Sequence, residues 1–82
     1  MKQNPRIIPY GRSDFIIRFI RRSGKQLFWK QGFDGRYMKS ELVTMPDVLF
    51  ETKEEAEKEI KEIVIPYLLK EKDVAPEEIV GW

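Results

Sequence analysis

The sequence predicts an α+β domain, in which a three- to four-stranded antiparallel sheet is packed by one long helix. Alternating strands separated by glycine-containing turns fill the chain up to Phe50, and a capped amphipathic helix begins near Thr52. The length of 82 residues suits one hydrophobic core and is too short for two. We therefore expect residues 1–82 to form a single domain.

Residues 1–11 are predicted to be an N-terminal arm or a short edge strand. Pro5 and Pro9 have no backbone N–H to donate, which argues against a central strand. Ile7 and Ile8 lie between the two prolines, so we expect the segment to dock on an apolar surface rather than to extend into water.

The sheet is predicted over residues 13–50 as an antiparallel meander. In the first strand, SDFIIRFIRR, both alternating sets of positions carry apolar residues, which is typical of a central strand. Ser23-Gly24 and Asp34-Gly35 are the turn signals that separate it from two further strands. Residues 48–50 are predicted to be either a fourth strand or the entry to the helix.

The long helix is predicted over residues 52–72. Thr52 and Glu55 have the spacing of a capping box, in which each side chain bonds the backbone N–H of the other residue. An apolar stripe then recurs at spacings of three and four, and it consists of Ala56, Ile60, Ile63, Val64 and Tyr67. Pro66 lacks the N–H that would bond the carbonyl of Glu62, so the pattern predicts a kink there.

A short helix and tail are predicted over residues 75–82. Pro76 stands at the favoured first position of a helix, and Gly81 would end it. Trp82 is expected to pack against the core, because a large apolar ring gains free energy by leaving water.

Composition argues against several classes of function. The chain has no cysteine and no histidine, so thiolate nucleophiles, histidine bases and zinc sites built on these residues are excluded. It also has no apolar run of the length that spans a membrane and no signal-peptide pattern at its start. We therefore expect a cytoplasmic protein with no membrane partner, no cofactor and no metal.

The carboxylates of the helix are expected to form a solvated face rather than a catalytic acid–base pair. The set is Glu54, Glu55, Glu57, Glu59 and Glu62. Glu54 with Lys58, and Glu57 with Lys61, are pairs at a spacing of four in the favourable orientation. For these reasons we expect no catalytic residues and no enzyme.

The net charge of +1 conceals a strong asymmetry between the two halves of the chain. Residues 1–40 contain ten lysines and arginines and two acidic residues, a net charge of +8. Residues 41–82 contain five lysines and twelve acidic residues, a net charge of −7. This polarity either steers an anionic partner toward the first half or holds the two halves together within one fold.

The candidate binding residues combine cations with aromatic rings in the predicted sheet. They are Arg18, Arg21, Arg22, Lys25, Trp29, Lys30, Phe33 and Arg36. Aromatic rings and arginines anchor protein interfaces, and cations with stacking rings also bind nucleic acids. The structural alternative is that the rings form the core beneath the helix and the cations are ordinary surface.

The stretch from Phe15 to Ile63 resembles small phage- and prophage-encoded proteins. It has GK after the first strand and DGR before the third, followed by MPDVLFETKEEAEKEI, in which F-x-T-x-x-E-A-E begins the helix. Some small phage proteins inhibit host defence or regulatory machinery. The resemblance therefore implies a non-catalytic protein that binds a host protein.

A sheet leading into F-x-T-K-x-E-A is also similar to the arm-binding N-terminal domain of phage and transposon tyrosine recombinases. That resemblance implies a sheet that enters the DNA major groove, with Arg18, Arg22, Lys30 and Arg36 on the DNA-facing strands. This chain departs from the pattern in an insertion over residues 43–49 and an extension over residues 66–82.

The leading hypothesis is a small non-catalytic binding protein of phage or mobile-element type, acting on a host protein that belongs to a defence or regulatory system. The first alternative is a nucleic-acid-binding module that uses the basic, aromatic sheet face. The second is a structural, self-associating domain, and it leaves a homodimer open.

Overall fold

The computed structural model describes residues 3–34, 37–43, 50–70 and 74–82, and within residues 31–42 it describes the backbone alone. The sheet has strands β1 (Arg6–Tyr10), β2 (Asp14–Ile20), β3 (Gln26–Asp34) and β4 (Tyr37–Val43). They lie in the order β1-β2-β3-β4, and every neighbouring pair is antiparallel. The predicted α+β class with an antiparallel sheet is therefore confirmed.

The N-terminal segment supplies the edge strand β1, one of the two forms predicted for residues 1–11. β1 pairs with β2 along its whole length, from Arg6 opposite Arg18 to Tyr10 opposite Asp14. The predicted strand or helix entry at 48–50 lies largely outside the described residues. Within it, Phe50 forms an isolated antiparallel bridge with Phe15.

β2 and β3 pair over a short length, and Phe50 pairs with β2 at Phe15, before that length begins. The register joins residues 18–20 to residues 26–28, after which β3 continues with β4 as a two-stranded ribbon. Phe50 exchanges two backbone hydrogen bonds with Phe15, at 2.9 and 2.7 Å. The chain that leads into the helix is therefore anchored on the sheet before the helix begins.

A single helix of 18 residues follows, over residues 53–70, and we call it the long helix. It consists of α1 (Lys53–Glu59), a π-helical turn (Ile60–Val64) and α2 (Ile65–Lys70). The Thr52 hydroxyl oxygen accepts a hydrogen bond from the Glu55 N–H at 3.2 Å, as the predicted N-terminal cap requires. Residues 71–72 of the predicted helix lie outside the described residues.

The π-helical turn immediately precedes Pro66. The Ile65 N–H bonds the Ile60 carbonyl, five residues back, so the helix is widened at this point. A proline ring collides with the carbonyl four residues before it in a regular α-helix, and a wider turn relieves that collision. The predicted kink of the helix axis at Pro66 stays a prediction.

The core lies between the long helix and one face of the sheet. The helix contributes a stripe at a spacing of four, and it consists of Ala56, Ile60, Val64 and Leu68, each of them 0% exposed. The sheet side and its neighbours contribute Ile7, Ile17, Phe19, Trp29, Phe50 and Val74. Full burial of each aliphatic side chain is worth about 1.5–3 kcal/mol, so this interface supplies most of the apolar stabilisation.

Two expectations about the helix faces are wrong. Ile63, placed in the predicted stripe, is 41% exposed, because the buried positions follow a spacing of four through Leu68. Glu59, placed on the solvated face, is 9% exposed and accepts a hydrogen bond from the Trp29 indole N–H at 2.8 Å. Ile63 lies within the π-helical turn, which changes the angular spacing of side chains there. Glu59 lies before that turn, and its burial accompanies the hydrogen bond to Trp29, which a helical period does not predict.

The C-terminal segment returns to the N-terminus instead of forming a full helix. Pro76–Glu78 is a single 3-10 turn, and Val80 then pairs with Asn4 through two backbone hydrogen bonds of 2.9 Å. The Trp82 indole N–H donates to the Pro5 carbonyl at 2.7 Å, and the ring packs against the core. The predicted packing of Trp82 is therefore confirmed.

The orientation of the long helix gives a matched pair of substitutions. Ile60→Ala should lower the free energy of unfolding by about 2–5 kcal/mol, because it leaves a cavity in the core. Ile63→Ala removes the same atoms from an exposed position and should change that free energy by no more than about 0.5–1 kcal/mol. Urea unfolding followed by tryptophan fluorescence measures both values, and equal losses would contradict this orientation of the helix.

Candidate functional site

The sheet face opposite the long helix is the candidate site, and we call it the open face. Strand alternation places on it the neighbours of the core residues Ile7, Ile17 and Trp29. Its described side chains are Arg6, Ile8, Tyr10, Asp14, Ile16, Arg18, Ile20, Gln26, Phe28, Lys30 and Val43. In the part of the chain that the structure describes, no helix packs on this face, and Tyr10 is 46% exposed there.

One row of residues crosses the whole open face. The register places Arg6 opposite Arg18, Arg18 opposite Phe28, and Phe28 opposite Val43, so all four strands contribute. We call these four residues the Arg18 row. The row joins two cations at one end to an aromatic ring and a branched aliphatic residue at the other.

Arg18 is the residue of this row with an unmet hydrogen-bonding need. Its Nε is shielded from solvent and has no hydrogen-bond partner among the described residues. A buried donor left without a partner costs about 1–3 kcal/mol, and more when the group is charged. Buried polar groups without a partner are few in native proteins, so Arg18 is an unusual residue of this face.

Arg6 adds to the electrostatic imbalance around Arg18. Like charges directly opposite on neighbouring strands destabilise a sheet, by roughly 0.2–1 kcal/mol for a pair. Neither arginine forms an ion pair with any described carboxylate. An anionic group that approached the Arg18 row would relieve the repulsion between the two cations.

The charge of the open face is mixed rather than uniformly positive. Asp14 lies opposite Tyr10 at one end of β2, and the register places Glu41 opposite Lys30. Strand alternation puts both acidic positions on the side of the sheet that carries the cations. The face therefore combines the facing pair Arg6 and Arg18 with apolar and acidic positions.

The predicted site residues near the first hairpin turn belong to a different structure, which we call the clasp. It consists of Asn4, Arg21, Arg22, Ala75 and Glu78. The Glu78 side chain is 7% exposed, and its carboxylate accepts from the Arg21 Nε at 3.1 Å and from the Arg22 N–H at 2.9 Å. The Ala75 N–H donates to the same carboxylate at 3.2 Å.

Asn4 completes the clasp from the N-terminal side. Its side-chain amide nitrogen donates to the Ile20 carbonyl at 2.9 Å and to the Glu78 carbonyl at 2.7 Å. Its side-chain oxygen accepts from the Ile20 N–H at 2.9 Å. Three distant parts of the chain are thus joined at the end of β2. A cleft of about 280 Å³ lies there, and the residues that border it include Asn4, Arg21 and Glu78, which already have partners in the clasp.

The clasp shifts the titration of Glu78. The hydrogen bond from the Arg22 N–H is the largest cause that holds the pKa of Glu78 below its usual value of 4.5. Partial burial opposes it, and the hydrogen bonds from Arg21 and Ala75 add to the lowering of the pKa. The carboxylate is therefore bound in its charged form as part of the fold.

The structure separates the predicted binding residues into several environments. Arg18 and Lys30 share the open face, while Arg21 is paired in the clasp and Arg22 donates to it through its backbone. Lys25 is exposed in the hairpin turn. The side chain of Phe33 and the whole of Arg36 lie outside the described residues.

Trp29 belongs to the core, which corrects the expectation that it is a surface anchor. It is 1% exposed, and its ring meets that of Tyr67 edge-on, with centroids 5.1 Å apart. Its indole N–H is satisfied by the buried carboxylate of Glu59. The neighbouring Phe28 lies on the opposite side of β3 and is the aromatic ring of the open face. Alternation alone predicts that Phe28 and Trp29 lie on opposite faces, but it does not decide which of them is in the core.

Comparison with known proteins finds no family model, no curated protein and no solved structure that matches this chain. The likenesses to phage proteins and to recombinase arm domains therefore stay predictions. Function has to be argued from the open face and the clasp themselves.

Two further observations concern the described residues. None of the helices in the described ranges is long and apolar enough to cross a bilayer. The same ranges contain no group of three or more acidic residues arranged to hold a metal ion.

The clasp predicts a pH-dependent contribution to stability. A carboxyl group with a lowered pKa in the folded state stabilises the fold above its unfolded value, near 4.5, and loses that effect as the pH falls through the folded value. Glu78→Gln should therefore lower the melting temperature at pH 7. The difference in melting temperature between this variant and the native chain should become smaller below pH 4.5.

Glu77→Gln is the matched control for this substitution. Its carboxylate is 77% exposed and lies 4.0 Å from the Arg22 guanidinium, so its loss should change the melting temperature little at any pH. Thermal unfolding by circular dichroism between pH 3 and 7 makes the comparison. A constant difference between Glu78→Gln and the native chain across that range would contradict the role of the charged carboxylate.

Proposed function

We propose that this chain is a small non-catalytic binding protein that holds an acidic protein surface on its open face. The observation that carries the proposal is the Arg18 row, in which a half-buried arginine faces a second arginine and adjoins an aromatic ring. A carboxylate of the partner would accept from Arg18 while apolar side chains of the partner pack on Phe28 and its neighbours.

The composition of the open face favours a protein partner. Protein interfaces have an apolar centre, arginine and aromatic anchors, and few charged residues in the buried part. Ile16 is 4% exposed and is therefore covered within the chain, whereas Ile20 at the end of β2 is 36% exposed and offers apolar surface to a partner. Arginines near the centre of such a surface are among the residues that dominate binding energy.

The partner class that we propose is a host protein, and the chain would belong to the phage or mobile-element type. The support for this part is the F-x-T-x-x-E-A-E helix start and the hairpins before it. A protein that acts by occupying a surface needs no catalytic group. The chain could therefore obstruct a host defence or regulatory protein by binding to its surface.

Nucleic-acid binding is the second candidate, and the facing pair of Arg6 and Arg18 is the observation that favours it. Phosphates would satisfy both cations. Asp14 opposes this, because it shares the face and its carboxylate repels a phosphate backbone. Phe28 and Tyr10 are the described rings on the open face that could stack on bases.

Arg18→Met separates binding from folding. The change keeps a long apolar stem and removes a charged donor that has no described partner, so the melting temperature should stay equal or rise. Affinity for the partner should fall by about tenfold or more, which corresponds to about 1.4 kcal/mol or more. Lys61→Met, on the exposed side of the long helix, is the control and should leave affinity unchanged.

The measurement uses the immobilised chain and lysates of bacterial hosts. A protein captured by the native chain and by Lys61→Met, but not by Arg18→Met, is purified, and its affinity for all three is measured by calorimetry. Equal capture by the three forms, or no capture above a blank resin, would overturn the proposal.

A salt titration tests the second candidate with separate probes. The chain is titrated with a 30-base-pair DNA duplex and a 30-nucleotide single strand at about 50 and 200 mM salt. Nucleic-acid binding predicts a complex whose affinity falls log-linearly with salt and is weakened by Arg18→Met. The absence of any complex at about 50 mM salt would exclude this candidate.

A further inference from the structure

The two edges of the sheet are protected to different degrees. β1 (Arg6–Tyr10) has five residues and contains Pro9, which has no N–H to donate to a further strand. β4 (Tyr37–Val43) has seven residues and no proline, and no described strand pairs with its outer edge. An unprotected edge presents a row of free N–H and C=O groups that can pair with another strand.

We propose that β4 pairs with β4 of a second copy of this chain, antiparallel and centred on Ser40. Two four-stranded sheets would then form one continuous sheet with a two-fold axis at its centre. β4 has the sequence YMKSELV, and the charges of this sequence are complementary to those of its own reversed copy. This complementarity favours a second β4 as the strand that pairs with the edge.

Continuity of the two sheet faces restricts the register. Residues directly opposite each other across an antiparallel pair lie on the same face. When β4 pairs with its own copy, a two-fold axis lies between the two strands. The core-side face and the open face both stay continuous across the pair only if this axis places one residue opposite the same residue of the second copy. An axis between two residues would place core-side positions beside open-face positions.

Charge selects among the registers that remain. An axis at Lys39 places two lysines opposite each other, and an axis at Glu41 places two glutamates opposite each other, both of which are unfavourable. An axis at Ser40 places Lys39 opposite Glu41 of the second copy, twice by symmetry. The same register places Met38 opposite Leu42 and Tyr37 opposite Val43, which are matched apolar positions.

The neighbouring strand extends this pattern. Within each chain the register places Lys30 opposite Glu41, and Lys39 opposite Gly32. In the paired sheet, Lys30, Glu41 and Lys39 of the second copy would occupy one row with alternating charge. Both open faces would lie on the same side, so two Arg18 rows would be presented together. The β4–β4 pairing would form whatever ligand the Arg18 rows bind.

Charge reversal and mixing test the register directly. Lys39→Glu and Glu41→Lys each place like charges opposite each other in their own dimer, and each should weaken it by at least about tenfold. A one-to-one mixture of the two variants restores opposite charges at both positions. It should form a heterodimer with about the affinity of the native dimer, since Lys39→Glu faces Glu41→Lys in the selected register.

Analytical ultracentrifugation of the full chain, up to about 1 mM, measures the native, variant and mixed states, and circular dichroism checks that each variant is folded. Lys61→Glu on the long helix is the charge-reversal control and should leave the dimer intact. A native chain that stays monomeric throughout would overturn the proposal. So would a dimer that both variants preserve, or a folded mixture in which no heterodimer forms.

Discussion

Burial of the stripe from Ala56 to Leu68 against the sheet is the constraint on which the rest of the structure depends. It commits one sheet face to the core, and with it Trp29 and Phe19. The side chains between them along the strands must then point away from the helix. The open face, with Arg18 at its centre, exists because the other face is fully used.

The core and the clasp divide the polar groups of the chain into two kinds. Glu59 and Glu78 are both held by hydrogen bonds, one under the long helix and one at the end of β2. For Glu78 the anionic charge is part of the fold, because the hydrogen bonds of the clasp lower its pKa. The Nε of Arg18, by contrast, has no hydrogen-bond partner among the described residues.

A binding face, an exposed edge and a pair of joined termini are distinct features with distinct physical origins. The open face follows from strand alternation, and the edge follows from the absence of a further described strand beside β4. The termini are joined because Asn4 and Val80 pair directly and Trp82 bonds Pro5. Val43 lies both on the open face and in the edge strand β4, so the two features meet at this residue.

The sequence by itself determined the antiparallel sheet, the turn at Ser23-Gly24 and the capped start of the long helix, because these depend on local patterns. It also separated the two faces of β2. Tertiary structure alone decided that Trp29 is core, that Glu59 is buried and that Ile63 is exposed. It also brought Glu78 to Arg21 across 57 positions of the chain. Each of these depends on which face the long helix covers and on where the C-terminus returns, and a periodic pattern carries neither kind of information.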